Sequence, residues 1–131
     1  MFSPNTKILV VDDMMTMRKL VGKICKELGF TDITEAADGA KAWELVQGAN
    51  PPFGLIISDW NMPNSTGLDL LKRIRTDSRV SRTPFILVTA EAEQHQVMEA
   101  LKAGVDQYVT KPFDKEVLKA KLEMVQKKYT A

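Results

Sequence analysis

The chain has 131 residues, 44% of them hydrophobic, which suits one soluble domain spanning residues 1–131 with an ordinary buried core. Eighteen basic residues face seventeen acidic ones, and a formal net charge of +1 supplies no global field for drawing in nucleic acid or an anionic membrane. Residues 1–7 lack the apolar core of a signal peptide and no apolar run approaches the ~20 residues that span a bilayer, so a cytoplasmic protein is expected.

The first apolar run, Ile8 to Val11, reads as a strand and ends in Asp12-Asp13. Met17, Leu20, Val21, Ile24 and Leu28 then fall at helical spacing, with Gly29 as the stop. Ile33 to Ala36 is a weaker strand, and the polar Thr34 and Glu35 inside it place it at a sheet edge. Asp38 or Gly39 opens a second helix through Trp43 to Val46, before Pro51, Pro52 and Gly54 break the chain. Leu55 to Ile57 is the third strand, followed by Ser58-Asp59. Leu68, Leu71 and Ile74 mark the third helix, with Thr66 as N-cap. Phe85 to Val88 leads into Thr89, and a fourth helix through Val97 and Leu101 closes near Gly104. Tyr108 and Val109 form a short fifth strand, and a last helix from about Asp114 carries Leu118, Leu122, Val125 and Tyr129 on one face.

Strand and helix therefore alternate five times with short connections, and parallel strands need such crossovers. The strand runs are continuous rather than alternating, as a sheet covered by helices on both faces requires. A flavodoxin-like, doubly wound α/β fold follows, with a five-stranded parallel sheet of order 2-1-3-4-5.

In such sheets ligands bind beyond the carboxyl ends of the strands, where strand order reverses. Those ends, for strands one and three, hold Asp12, Asp13 and Asp59. Any one of them alone is as readily a helix cap or turn residue, but three carboxylates converging in one cleft raise each other's proton affinity unless a cation shares the site. Hard oxygen ligands in limited number favour Mg²⁺. Thr89 and Lys111, at the ends of strands four and five, add a hydroxyl and an ammonium to the same cleft. Together these groups make a phosphoryl site.

Asp12-Asp13, Ile57-Ser58-Asp59-Trp60-Asn61-Met62-Pro63, Val88-Thr89-Ala90-Glu91-Ala92 and Tyr108-Val109-Thr110-Lys111-Pro112-Phe113 resemble the receiver domains of two-component signalling, in particular CheY-like chemotaxis response regulators. The resemblance runs from about Lys7 to Lys128. It implies that Asp59 is the phospho-acceptor, and that Asp13 and Asp59 bind Mg²⁺ directly, Asn61 through its carbonyl and Asp12 through water. Lys111 would pair with Asp59 and then with the phosphoryl oxygens. Thr89 would bond the phosphoryl group, and Tyr108 would turn inward with it as the second switch residue. The Lys111-Pro112 bond is a candidate for the cis form.

The implied partners are a histidine kinase as phosphodonor, the flagellar motor switch at a face made by helix four, strand five and helix five, and a phosphatase. A monomer without its own effector domain or any catalysis beyond its own phosphorylation and dephosphorylation is expected. Met14, Glu93-Gln94 and the loop Asn64-Ser65-Thr66-Gly67 depart from the chemotaxis pattern, and Glu93 puts partner choice in question. Two alternatives remain: a receiver acting as a phosphate sink or docking to a non-motor target, and a Mg²⁺-dependent phosphohydrolase. Among the other residues, Cys25 reads as a buried inert thiol and His95 as an exposed residue without a catalytic role. One cysteine and one histidine offer neither a disulfide nor a zinc site. Trp43 reads as packing and Trp60 as a side chain projecting near the metal.

Overall fold

The computed structural model describes residues 2–63, 65–90 and 94–130. Its elements follow the expected alternation: β1 (Lys7–Val11), α1 (Met15–Glu27), β2 (Asp32–Ala36), α2 (Gly39–Gly48), β3 (Leu55–Asp59), α3 (Gly67–Thr76), β4 (Phe85–Thr89), α4 (Gln94–Ala103), β5 (Gln107–Thr110) and α5 (Lys115–Thr130). All five strands are parallel, in the order β2-β1-β3-β4-β5.

Both sheet faces are buried, which is why the strand sequences are apolar without alternation. Ile8, Val10, Leu55, Ile57, Ile86 and Val88 pack with Val21, Ile24 and Leu118 on the α1/α5 side. Leu9, Val11, Ile56, Phe85 and Leu87 pack with Val46, Leu71 and Ile74 on the α2/α3/α4 side. Each such side chain taken out of water stabilises the fold by roughly 1.5–3 kcal/mol. β2 is the partly exposed edge that its polar residues indicate.

Three of the large residues on the expected helix stripes are surface. Leu20 on α1 is 41% exposed, Leu101 on α4 is 54% exposed and Tyr129 on α5 is 37% exposed. Gly22 and Cys25 complete the buried face of α1, and Ala100 is the buried contact of α4. Small side chains let these helices sit close to the sheet, so the buried strip is shifted from the one drawn through the large apolar residues.

The helix caps follow their sequence signals. Asp38 accepts the backbone N–H of Lys41 at 2.7 Å, and Asp114 accepts that of Val117 at 3.0 Å. Thr66 and Asp69 form a reciprocal capping box at the start of α3, each 3.1 Å bond satisfying an N–H that the helix leaves free. Asn50-Pro51 and Lys111-Pro112 are cis. The bond at Pro112 was a candidate on resemblance; the one at Pro51 carried no signal in the sequence.

Candidate functional site

Parallel pairing brings the chemistry to one end of the sheet. Val11 lies opposite Ser58 across β1 and β3, Asp59 lies opposite Val88, and Thr89 lies opposite Thr110. The residues just beyond these pairs, Asp12, Asp13 and Lys111, are therefore neighbours in space although up to 99 positions apart in sequence.

Asp12, Asp13 and Asp59 each present a carboxylate oxygen within 4.8 Å of the others'. Asp12 and Asp59 are buried and Asp13 is exposed, so the cluster opens to solvent on one side. Lys111 reaches in from β5, its Nζ 3.2 Å from Asp59 Oδ1 and 3.5 Å from Asp12 Oδ2. Its backbone N–H donates to Thr89 O at 2.7 Å, which ties the ends of β4 and β5 together. Thr89 is buried at 3% exposure. Burial, and then the neighbouring Asp12 charge, push the Asp59 carboxyl above its ordinary range, with Lys111 pulling the other way.

The cap reading of Asp12 is partly right. Its Oδ1 accepts the N–H of Met14 at 2.8 Å, forming a local turn, but the N-cap of α1 is Met14, whose side chain makes no capping bond. Asp12 is thereby held with its second oxygen facing Lys111. Asn61 is exposed in the loop directly after Trp60. Tyr108 is partly buried beside the α2/α3/α4 core, with Lys121 Nζ 5.4 Å from its ring centroid. Trp60, expected to project near the metal, is only 8% exposed and packs into that same core; its link to the site is the backbone bond to Asp59. Asn64, Glu91 and Glu93 lie outside the described residues, as do the side chains of Gln94 and His95. Cys25 is fully buried and its thiol is pushed up to about 12 by burial, so it is inert as expected.

Three supporting residues were not singled out from sequence. Arg18 donates to the carbonyl of Asp12 at 2.9 Å and pairs with Glu35 at 3.3 Å, bracing the end of β1 against β2. Ser58, fully buried, donates to Asp59 O at 3.0 Å. Gly67 donates to Trp60 O at 2.9 Å and folds the β3–α3 loop back over the end of β3. A Cβ at Gly67 would overlap the carbonyl oxygen of Asp59 and meet Leu87 Cδ2 at 2.8 Å. Because the first obstacle is backbone, Gly67→Ala is expected to destabilise the protein by about 1–3 kcal/mol, read from urea denaturation. Wild-type stability in that variant would show that the loop has slack which this packing denies.

The geometry is that of an acidic pocket with one ammonium. The response regulator receiver domain model matches residues 8–123. The chain belongs to the response regulator receiver family. This receiver is 46% identical over 119 residues to the chemotaxis protein CheY of Pseudomonas aeruginosa, covering 91% of this chain and 94% of that one. It is 48% identical over 119 residues to the chemotaxis protein CheY1 of Helicobacter pylori, covering 91% and 95%. A solved structure of Vibrio cholerae CheY4 superposes with a TM-score of 0.85 at 34% identity, covering 92% of this chain and 98% of that one. The receiver is thus CheY-like in sequence and in fold. Among the described residues, no helix is long and apolar enough to cross a membrane.

Proposed function

We propose that this receiver is a phosphorylation-dependent chemotaxis signalling protein of the cytoplasm, in which Asp59 accepts a phosphoryl group from a histidine kinase. The observation that carries the reading is the convergence of three carboxylates with the Lys111 ammonium at the switch point of the sheet. The donor set fits a hard divalent cation: all-oxygen, anionic, partly buried and open on one side. Asp12, Asp13, Asp59 and the carbonyl of Asn61 would hold Mg²⁺. When bound, it would supply charge neutralisation for the phosphoryl oxygens.

The chain's own groups do the rest. An Asp59 carboxylate oxygen attacks the phosphorus; the new O–P bond forms as the P–N bond to the donor imidazole breaks, and that imidazole leaves with its electron pair. Lys111, already 3.2 Å from Asp59, would keep its charge and pair with the phosphoryl oxygens instead. Thr89 at the end of β4 would donate to the new group, and Tyr108 on β5 would follow it inward. The result is a population shift of the α4–β5–α5 face, which a partner reads. The relatives are named as chemotaxis proteins, and the partner that the family resemblance implies is the flagellar motor switch, with a phosphatase resetting the signal.

Incubation with acetyl phosphate and Mg²⁺ is expected to add one phosphoryl group by intact mass, and chelation of the metal to prevent it. Mg²⁺ at ~100 times its dissociation constant should also stabilise the fold by roughly 2.7 kcal/mol, read as a rise in melting temperature. Multiple turnovers of a generic phosphate ester would favour a hydrolase instead. A melting temperature indifferent to Mg²⁺ would remove the metal from the cluster.

A further inference from the structure

A groove lies away from the phosphorylation site. It runs between α3 and the C-terminal half of α4, has a volume of about 430 Å³, and is lined by Lys72, Arg75, Thr76, Glu99, Lys102 and Ala103. A second depression of about 210 Å³ continues it past Arg75 and Gly104 to Arg82 and Lys128. Both lie toward the amino ends of β4 and β5, since Asp106 N–H donates to Phe85 O there, whereas Asp59 and Thr89 close the opposite ends of their strands.

The charges along this groove are unbalanced. Arg75 and Lys128 are committed to the buried Asp106. Among the described residues no carboxylate pairs with Lys72, Arg82 or Lys102, and all three are exposed. They sit on three separate elements, α3, the α3–β4 loop and α4, Lys72 and Lys102 lining the first depression and Arg82 the second. Such spacing fits an extended anionic chain better than one small anion. Besides the stems of the cations the lining includes Thr76, Ala103 and Glu99, and most of its surface is apolar. A carboxylate there disfavours a ligand with a phosphate at every unit and tolerates one whose acidic side chains alternate with apolar ones.

We propose that the α3–α4 groove docks an extended, acidic and partly apolar segment of a partner protein, at a place separate from the phosphorylated end. The charge complementarity of Lys72, Lys102 and Arg82 sets its orientation, and the apolar part of the lining takes its apolar side chains. The interaction weakens with salt, because the cations are exposed.

The test uses the whole chain and a fluorescein-labelled short peptide of alternating glutamate and leucine, followed by anisotropy and by backbone amide NMR shifts. Saturable binding is expected, with shifts at Lys72, Arg73 and Thr76 and at Lys102, Ala103 and Gly104. Combining Lys72→Glu with Lys102→Glu should weaken it about tenfold at low salt, while Lys41→Glu on α2 should leave it unchanged. Phosphorylation at Asp59 should proceed normally in the double variant, so failure here is separable from failure of the signalling reading. The proposal is overturned by unchanged affinity in the double variant, or by shifts confined to residues outside α3 and α4. Tighter binding of oligothymidylate or orthophosphate than of the peptide also overturns it, making the groove a general anion surface.

Discussion

Asp59→Asn is expected to reduce phosphorylation by acetyl phosphate to background and, in the same experiment, to make the metal-free protein more stable. The first effect follows from chemistry: the amide oxygen is a poor nucleophile, and it removes one of the three anionic oxygens that gather within 4.8 Å. The second follows from electrostatics. Asp59 is 6% exposed and its carboxyl is raised first by burial and next by Asp12. A neutral amide of the same shape loses both penalties while Lys111 keeps Asp12 at 3.5 Å. A gain on the order of 1 kcal/mol at neutral pH is expected. The sign with pH is fixed by linkage. Folding raises this carboxyl's proton affinity, so its contribution to stability is fully present below the unfolded value and is lost as pH rises through the native one. The advantage of the Asn variant should therefore narrow as pH falls from neutral into the acid range. Urea denaturation in chelator across that range measures it. A variant less stable than wild type at neutral pH would mean that Lys111 alone balances the cluster. Phosphorylation at the wild-type level would remove Asp59 as acceptor.

The acidic site was legible because its parts are attached to the most readable features of the chain. A buried parallel strand announces itself as a short apolar run, and the residue after the run is by construction at the ligand-binding end. Asp12, Asp59, Thr89 and Lys111 all occupy such positions. What the sequence concealed falls into two kinds. Where a helix approaches the sheet closely, Gly22, Cys25 and Ala100 make the contact, and large apolar residues such as Leu20 and Leu101 are left outside; hydropathy spacing weights the large residues and so misplaces the face. The other kind is long-range polar bonding to backbone. Arg79 donates to the carbonyls of Val46 and Ala49 and so closes α2 from a loop 30 or more positions away, and nothing near either partner signals it. Trp60 shows a third effect: its position next to Asp59 says nothing about which way its ring points, and the ring belongs to the core.

The largest stability effect is expected at a residue with no signal of this kind, Asp106. Its side chain is 1% exposed and is the hub at the amino end of β5. It accepts the backbone N–H of Phe85 at 2.8 Å, Arg75 at 3.1 Å, Lys128 at 2.7 Å and the Tyr129 hydroxyl at 3.0 Å. Four partners from β4, α3 and α5 thus share one carboxylate. Arg75 adds bonds to the carbonyls of Gly104, Ser81 and Thr83, so the α3–β4 and α4–β5 connections hang on the same pair. Asp106→Ala leaves a buried N–H and a largely buried guanidinium without their anion, and is expected to cost about 3–5 kcal/mol. Lys128 contributes little to this, because its side chain is 57% exposed. Asp106→Asn keeps an acceptor for Phe85 or Arg75 but loses the charge, and should fall between the Ala variant and Tyr129→Phe, which gives up one hydrogen bond, about 0.5–1.5 kcal/mol. Tyr129 supplies an independent optical readout. Its hydroxyl is pushed up to about 12, first by burial and then by the Asp106 charge, so Asp106→Ala should let tyrosinate form at lower pH in an ultraviolet titration. Denaturation in urea that ranks the three variants Ala, Asn, Phe in falling order of damage supports the hub. An Ala variant within 1 kcal/mol of wild type, or a tyrosine titration that does not move, would reduce the cluster to a set of surface contacts.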